Sequence, residues 1–338
     1  MKNPRYSAKP RPPDQPDELF RRLRAGDRTA LSRALTLVES RQAGHQKMAA
    51  DILARCLPFT GNSIRLGITG SPGVGKSTFI ETLGMQTLQK NHRIAVLAID
   101  PSSSVTKGSL LGDKTRMEQL SRQERAFIRP SPASETLGGV AHSTKESILI
   151  CEAAGYDLII VETVGVGQSE TLVREMVDFF LLLMLPGAGD DLQGIKRGIV
   201  ELADLIVINK AEGDRKPLAQ QTQRDFKRAL HLFPPSTSSW SVQVRLASAL
   251  QNEGIDEIWD LITTYTQQES ESITQRRAQQ NAFWLDHRFR DLARSKILKL
   301  PGLRKELAHQ KDQLMQGRQS LTAALQVLEK ELERHFSS

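Results

Sequence analysis

A glycine-rich segment from Gly70 to Ser77 constrains the fold of this 338-residue chain more than any other feature. It fits the spacing G-x-x-x-x-G-K-[ST], and it lies between an apolar run and a stretch of helical periodicity. Glycines in such a loop let backbone N–H groups turn toward phosphate oxygens, and the following helix adds the positive end of its dipole. We therefore predict a strand, a phosphate-binding loop and a helix in succession, with phosphate contacts from Gly70, Ser71, Pro72, Gly73, Val74, Gly75, Lys76, Ser77 and Thr78.

Six short apolar runs, separated by spacers of helix length, indicate the fold class. Runs of this length are too short for helices and favour strands that are buried on both faces of a parallel sheet. We predict an α/β fold of the P-loop NTPase type: a doubly wound, mostly parallel sheet with N- and C-terminal helical appendages. The predicted strands are Ile64–Thr69, Ile94–Ile99, Phe127–Arg129, Leu158–Val161, Phe179–Leu185 and Leu205–Ile208. The run at Phe179–Leu185 is too short to span a bilayer, so we interpret it as a central strand.

The chain divides into four predicted segments. Five of its fifteen prolines lie in the first sixteen residues, so we expect residues 1–17 to be a disordered tail. Residues 18–60 show helical spacing with breaks near Gly26 and Gly44. Residues 61–266 form the predicted nucleotide-binding domain, and residues 267–338 form a predicted helical dimerisation region.

The last part of the chain carries a narrow apolar stripe at helical spacing, after a break at Pro301-Gly302. We assign the stripe to one helix. It could pack on the protein's own core, or it could form a dimer seam. Its members are Leu314, Leu321, Leu325, Leu328 and Leu332.

The formal net charge is +7, which would conventionally suggest a nucleic acid or an anionic membrane as partner. The excess lies in the flanks, however: residues 1–60 carry a net +6, residues 61–266 a net −3 and residues 267–338 a net +4. We therefore predict no nucleic-acid and no membrane partner. The two cysteines, Cys56 and Cys151, cannot build a disulfide framework, and we expect a cytoplasmic protein.

Acidic residues follow two of the predicted strands. Glu162-Thr163-Val164-Gly165 comes after Leu158–Val161, where a carboxylate could hold Mg²⁺ and the Gly165 amide could meet the γ-phosphate. Asp100 follows Ile94–Ile99 at the same sheet edge, where ligands of parallel sheets bind. Lys76 would reach the β- and γ-phosphate oxygens, and the Ser77 hydroxyl would ligate the metal. A solvated loop carboxylate is the alternative interpretation of Glu162.

A candidate base site follows the strand Leu205–Ile208. The sequence Asn209-Lys210-Ala211-Glu212 resembles N-K-x-D, in which the acid accepts hydrogen bonds from guanine N1–H and N2–H₂. Adenine offers an acceptor at N1 and lacks the N2 amine, so a buried acid rejects it. Here the acid is Glu212, one methylene longer than the aspartate of the motif, so both carboxylate oxygens remain and only their reach changes; we predict guanine, with adenine as the alternative. We expect a backbone N–H after Ser248, in the segment Ser248-Ala249-Leu250, to meet guanine O6.

Together these residues resemble the MeaB/ArgK family of P-loop GTPases, over the chain from about Leu19 to the C-terminus. The most specific matching segments are Gly70–Ser77, Asp100–Ser103, Leu111–Met117, Phe127–Pro130, Glu162–Glu170 and Gly189–Lys196. The resemblance implies a homodimeric GTPase that binds GTP and GDP with Mg²⁺ and acts as a chaperone of adenosylcobalamin-dependent methylmalonyl-CoA mutase or a related acyl-CoA mutase. It implies switch regions at 100–117, 162–170 and 187–196, and it adds Asp113 to Ser77, Asp100 and Glu162 as metal candidates.

Hydrolysis is expected to be slow in the isolated protein. In Ras-like enzymes a glutamine after D-x-x-G orients the attacking water, but Val166 occupies that position here. We therefore expect a partner to stimulate the hydrolysis rate. The candidate catalytic residues are Lys76, Glu162 and Lys196, and Lys196 is the candidate for the group that acts when the partner binds. The alternative interpretation of Lys196 is a solvated loop lysine without a catalytic role.

Two other functions remain open at this point. A kinase or ATPase linked to an amino-acid transport system would need a base and an acceptor pocket, and no motif for these stands out. A metal-insertion GTPase would need His or Cys tracts, whereas the seven histidines are scattered and the two cysteines are far apart.

Overall fold

The computed structural model describes residues 15–99, 117–130, 137–163, 169–188, 197–230 and 240–336. The chain forms two compact units, Met1–Ala278 and Gln279–Ser338. Residues 1–14 of the predicted tail lie outside the described residues, but the prediction that the tail extends to residue 17 is wrong, because a helix begins at Pro16. Proline is common at the first position of a helix, because the N–H that it lacks would make no hydrogen bond within the helix there. No helix among the described residues has both the length and the apolar character needed to cross a membrane.

The first unit contains a sheet of seven strands within the described ranges, and every neighbouring pair is parallel. The spatial order is β3-β2-β4-β1-β5-β6-β7. This arrangement, with helices on both faces, confirms the predicted α/β fold class. The strands are β1 (Ile64–Gly70), β2 (Ile94–Ile99), β3 (Ala126–Arg129), β4 (Leu158–Thr163), β5 (Phe179–Met184), β6 (Leu205–Ile208) and β7 (Gln243–Leu246).

The most apolar run in the sequence is an interior strand, as predicted. All six residues of β5 are buried, and the strand pairs with β1 on one side and with β6 on the other. Burial on both faces explains why the run shows no polar alternation. Strand β7 was not predicted, because it is a short edge strand in which Val244 alone is buried.

Three helices precede the sheet and belong to the first unit: α1 (Pro16–Arg24), α2 (Arg28–Glu39) and α3 (Ala43–Cys56). The predicted break near Gly26 is confirmed, and Gly26 has a left-handed backbone with φ 84°. The second break lies at Ser40–Gln42 and not at Gly44, which is the second residue of α3. Ser40 ends α2 by turning the backbone to the extended region.

The remaining helices connect the strands and form the C-terminal part of the chain. In chain order they are α4 (Lys76–Gln89), α5 (Glu118–Ser121), α6 (Leu137–Ala153), α7 (Ser169–Arg174), α8 (Arg197–Leu202), α9 (Lys216–Leu230), α10 (Ile255–Gln268), α11 (Ser270–Ile297), α12 (Leu303–Met315) and α13 (Leu321–Phe336). The division between the two compact units falls within α11.

A buried cluster of charges lies at the amino ends of β1 and β5, at the edge of the sheet opposite the phosphate loop. Arg65 donates from Nε and Nη2 to the two carboxylate oxygens of Glu152, at 2.9 and 3.0 Å. Arg277 donates in the same way to Asp178, at 2.7 and 2.6 Å. Lys145 is buried nearby, and its Nζ has no hydrogen-bond partner among the residues that the structure describes. The pKa of Lys145 is lowered to about 8, mainly because the ammonium group is buried and secondly because of the positive charge of Arg65.

The second unit is helical, but the predicted single stripe is divided between two helices. Leu314 lies in α12 and the other four leucines lie in α13, because the chain turns at residues 316–320, where Gly317 has φ 67°. Leu321 and Leu325 are 64% and 56% exposed. A second apolar row on α11 is also exposed: Leu285 by 71%, Phe289 by 66% and Leu292 by 54%.

Candidate functional site

The phosphate loop connects the carboxyl end of β1 to the first turn of α4, as predicted. Two of its glycines have no room for a side chain. A Cβ on Gly70 would lie 2.5 Å from the Leu183 carbonyl oxygen, and a Cβ on Gly75 would lie 2.9 Å from Asn209 Nδ2. Gly75 also has φ 95°, a left-handed conformation that favours glycine. The close packing of the loop on its neighbours therefore requires these residue types.

Lys76 is buried, and its ammonium group lies on the loop itself. The Nζ atom donates to the Gly70 carbonyl oxygen at 2.8 Å and to the Ser71 carbonyl oxygen at 3.3 Å. These carbonyls hold a buried positive charge at the mouth of the α4 amino terminus, where the helix dipole also favours an anion. The loop thus presents a cation and backbone donors to the same space.

Strands β1 and β4 are neighbours in the sheet, and this pairing brings Ser77, in the first turn of α4, close to Glu162 of β4. The Ser77 hydroxyl lies 3.5 Å from Glu162 Oε1, and Glu162 is buried at the end of β4. Their oxygen atoms are the kind of ligand that Mg²⁺ prefers. Within the described residues, no group of three or more His, Cys, Asp or Glu side chains could hold a metal alone. Asp100, Asp113 and Gly165 lie outside the described residues.

Two buried threonines join the carboxyl ends of β1 and β4. The Thr163 and Thr69 hydroxyl oxygens are 2.7 Å apart, and both residues are buried. Thr69 precedes the phosphate loop, and Thr163 follows Glu162. The hydroxyl pair therefore fixes the end of one strand against the end of the other, where both deliver functional residues. This contact depends on the pairing of β1 with β4, so no local sequence pattern predicts it.

Asn209 joins the phosphate loop to the predicted base site. Its Nδ2 donates to the Val74 carbonyl oxygen at 2.9 Å, and its Oδ1 accepts from the Ala249 N–H at 3.1 Å. The side chain is buried, and both halves of its amide are used. The structure thus brings together the three segments that the sequence predicted as nucleotide contacts, namely the phosphate loop, Asn209–Glu212 and Ser248–Leu250.

Glu212 has an unsatisfied buried oxygen. Its Oε2 atom is inaccessible to solvent and has no hydrogen-bond partner among the described side chains and backbone. A buried acceptor without a donor is costly, and guanine N1–H and N2–H₂ would supply the missing donors. Two residues before Glu212, Lys210 has φ 61°. Its side chain lies beside Gly75 of the phosphate loop, with Cε 3.6 Å from the position that a Cβ on Gly75 would take. The residues present therefore fit a guanine base.

The turn after β7 contains two backbone N–H groups that follow Ser248 within the predicted segment. The N–H directly after Ser248 is that of Ala249, and it already donates to Asn209. In the described residues the Leu250 N–H has no hydrogen-bond acceptor, while the Ser248 hydroxyl accepts from the Gln251 N–H at 3.1 Å. Leu250 is 78% exposed. The Leu250 amide is therefore the free donor in the segment Ser248-Ala249-Leu250. Lys196 lies outside the described residues.

Comparisons with known proteins agree with this site. A family model described as "Methylmalonyl Co-A mutase-associated GTPase MeaB" matches residues 31–300. The Escherichia coli protein named GTPase ArgK is 51% identical over 270 residues, which are 79% of this chain and 82% of that protein. The Mus musculus protein named methylmalonic aciduria type A homolog, mitochondrial, is 42% identical over 313 residues, which are 89% and 75% of the two chains.

A solved structure resembles the whole chain. It is described as the crystal structure of LAO/AO transport system kinase, and its sequence is 38% identical. The alignment covers 94% of this chain and 97% of that chain, with a TM-score of 0.76. The similarity therefore extends beyond the phosphate loop to most of the chain.

Proposed function

Because the chain belongs to the MeaB family and is thus a GTPase that binds guanine nucleotides, we propose that it is a GTP-dependent chaperone of an acyl-CoA mutase. The proposed partner is adenosylcobalamin-dependent methylmalonyl-CoA mutase or a related enzyme, and the nucleotide state would gate cofactor loading and protection. The observation that carries the proposal is the match over residues 31–300 to a family described as mutase-associated.

The proposed reaction is GTP hydrolysis with Mg²⁺. Ser77, Glu162, Asp100 and Asp113 are the proposed metal ligands, directly or through water. Bound Mg²⁺ would neutralise charge that develops on the phosphate oxygens. Lys76, 2.8 Å from the Gly70 carbonyl, is already held at the loop and would exchange that carbonyl for phosphate oxygens. Glu212 would orient the base through its unsatisfied Oε2.

The intrinsic rate is proposed to be slow and to rise when the mutase binds. Val166 cannot orient a water molecule, so the isolated chain lacks the group that Ras-like enzymes use. The proposed stimulating group is Lys196, which follows Gly194 in the segment after β5.

The proposed assembly is a homodimer. Support comes from the exposed apolar row of α11 in the second unit, Leu285, Phe289 and Leu292, which are spaced for one face of a helix. Large apolar side chains that share one exposed face of a helix are costly to leave in water. A second copy of the same helical unit would bury them.

The proposal also places the protein in the cytoplasm. Support comes from Cys56 and Cys151, which are both buried and both free thiols. Reduced buried cysteines are typical of compartments that do not form disulfides.

A pulldown combined with a hydrolysis assay tests the function. The tagged protein, loaded with GTP or GDP, is expected to recover an acyl-CoA mutase from extracts of its own cells, and the purified mutase is expected to stimulate GTP hydrolysis. Lys76→Ala, which removes the phosphate-binding cation, should abolish nucleotide-dependent recovery. Lys90→Ala is the matched control, because Lys90 ends the same helix and only pairs at the surface with Asp256 and Asp260.

A second function receives support from the name of the similar solved structure, LAO/AO transport system kinase. Under that hypothesis, phosphate would pass to an acceptor linked to amino-acid transport. Stimulation of nucleotide turnover by a transport protein or a small acceptor, without any stimulation by the mutase, would replace the chaperone proposal with this one.

A further inference from the structure

Helix α4 contacts the base-binding turn at two points beyond the phosphate loop. The Thr82 hydroxyl lies 2.9 Å from the Ala249 carbonyl oxygen and 2.9 Å from the Thr78 carbonyl oxygen of its own helix, so these two acceptors share its one proton. One turn further along α4, the Nε2 of the buried Gln86 donates to Asn252 Oδ1 at 2.5 Å. Helix α4 therefore holds both ends of the segment from Ala249 to Asn252.

The Thr82 contact controls the direction of one peptide group. A trans peptide is planar, so its C=O and N–H bonds point in opposite directions. The Ala249 carbonyl and the Leu250 N–H belong to the same peptide group. When Thr82 holds the Ala249 carbonyl toward α4, the Leu250 N–H is turned away from α4. That N–H is the donor left without an acceptor among the described residues.

The same turn is fixed from the other side by Asn209. The Ala249 N–H donates to Asn209 Oδ1, so the two peptide groups that flank Ala249 are both held by side chains. Asn252 keeps a left-handed backbone with φ 58°, and Gln86 secures its side chain. The turn is therefore held by contacts within the protein, which lowers the entropy lost when a base binds.

We infer that Thr82 is a positioning residue for the guanine base: through the Ala249 carbonyl it presents the Leu250 N–H to the O6 atom of the nucleotide. The inference rests on the proposed guanine-nucleotide site. It assigns a second role to α4: the helix that begins at Lys76, the predicted phosphate-binding residue, would also set the geometry of the base site through Thr82, about 1.7 turns later.

Binding measurements with two ligands test this role. The full-length protein and its variants are titrated with GDP and, separately, with inorganic pyrophosphate, which has the diphosphate but no base. Thr82→Val removes the hydroxyl and keeps the shape. GDP binding should weaken about three- to tenfold, the effect of one lost hydrogen bond, and pyrophosphate binding should not change. Thr82→Ser keeps the hydroxyl and should restore GDP binding to within about twofold of the wild type.

Thr87→Val is the matched control. Thr87 lies on the same helix, and its hydroxyl donates only within that helix, at 2.9 Å to Leu83 and 3.0 Å to Gly84. This variant should bind GDP as the wild type does. Equal weakening by Thr82→Val and Thr87→Val, or equal weakening of GDP and pyrophosphate by Thr82→Val, would overturn the inference.

The wild-type protein separates this inference from the proposed function. If the wild type does not prefer GDP to ADP, the proposed guanine site itself is wrong. If the wild type prefers GDP and Thr82→Val binds it equally well, only the role of Thr82 is wrong.

Discussion

Asn209 and Val74 are joined by a buried hydrogen bond, in which the Asn209 Nδ2 donates to the Val74 carbonyl oxygen at 2.9 Å. The same side chain accepts from Ala249, so one amide connects the loop that follows β1 with the turn that follows β7. Asn209 therefore aligns the phosphate loop with the turn after β7, in addition to the contacts that α4 makes with that turn.

Asn209→Asp should damage both parts of the site at once. The substitution replaces the Nδ2 donor with a carboxylate oxygen that would face the Val74 carbonyl. We expect at least tenfold weaker binding of both GDP and pyrophosphate, and a free energy of unfolding lower by about 1–3 kcal/mol. Calorimetric titration and urea unfolding measure the two effects. The exposed Asn281→Asp should change neither, and unaltered pyrophosphate binding in Asn209→Asp would show that the two loops are not coupled.

Glu212→Gln should reduce the preference for guanine. An amide keeps the length of the side chain but loses the two-acceptor carboxylate that would face guanine N1–H and N2–H₂. We expect GTP affinity to fall about tenfold or more, with little change in ATP affinity. Competition of GTP against ATP measures the ratio, and Glu253→Gln is the control, because Glu253 is exposed in the neighbouring turn. A ratio unchanged by Glu212→Gln would remove Glu212 from base recognition.

Lys145 should make stability rise with pH. Burial and the charge of Arg65 lower its pKa to about 8, against about 10.4 in the unfolded chain. Between these values the unfolded chain binds the extra proton, so the free energy of unfolding increases with pH, by about 3 kcal/mol in total. Asp178 and Glu152 attract the charged form and Arg277 repels it, but burial outweighs them.

Lys145→Met should remove this dependence and stabilise the protein at pH 7. Urea unfolding at pH 7.0, 8.0, 9.0 and 9.5 measures both effects, and the surface variant Lys90→Met is the control. An equal rise of stability with pH in the wild type and in Lys145→Met would mean that another group carries it.

Lys196→Ala should separate basal from stimulated hydrolysis. If Lys196 acts only in the complex, the variant keeps nearly the wild-type basal rate and GDP affinity but loses stimulation by the mutase. Steady-state phosphate release, with and without mutase, measures this. Arg197→Ala replaces the next cation in the chain and should be stimulated as the wild type is. Full stimulation of Lys196→Ala would leave Lys196 as a solvated lysine.

Leu285→Lys together with Phe289→Lys should dissociate the proposed homodimer. Charges on these exposed apolar positions of α11 cannot be buried against a second copy without a large desolvation cost. Light scattering after gel filtration should show a monomer for this variant and a dimer for Asp291→Lys, whose exposed position lies about 130° around the helix from the apolar row. A dimer in both variants would locate the interface elsewhere.

The sequence predicted those features that depend on local pattern. Glycine spacing located the phosphate loop, and apolar runs located six of the seven strands within the described residues. Strand β7 was missed because an edge strand with one buried residue has no such run. The turn between α12 and α13 was missed although Gly317, followed by Ser320, is a pattern typical of a helix end and a new helix start.

The contacts that align the site could not be predicted from local pattern. Thr82 and Ala249 are 167 residues apart, and Thr69 and Thr163 are 94 residues apart. A threonine in a helix or strand has many ordinary roles, so its residue type does not identify its partner. These contacts exist only because the parallel sheet delivers the ends of distant strands to one edge.

Lys210 has a strained backbone in the segment that follows β6. Its φ of 61° is a conformation that costs a non-glycine residue about 1 kcal/mol, and glycine would adopt it without strain. Glycine, however, has no aliphatic stem to lie beside Gly75. Replacing Lys210 with glycine would therefore relieve the strain and also remove this contact, so the gain in stability would come with the loss of a side chain from the predicted base-site segment.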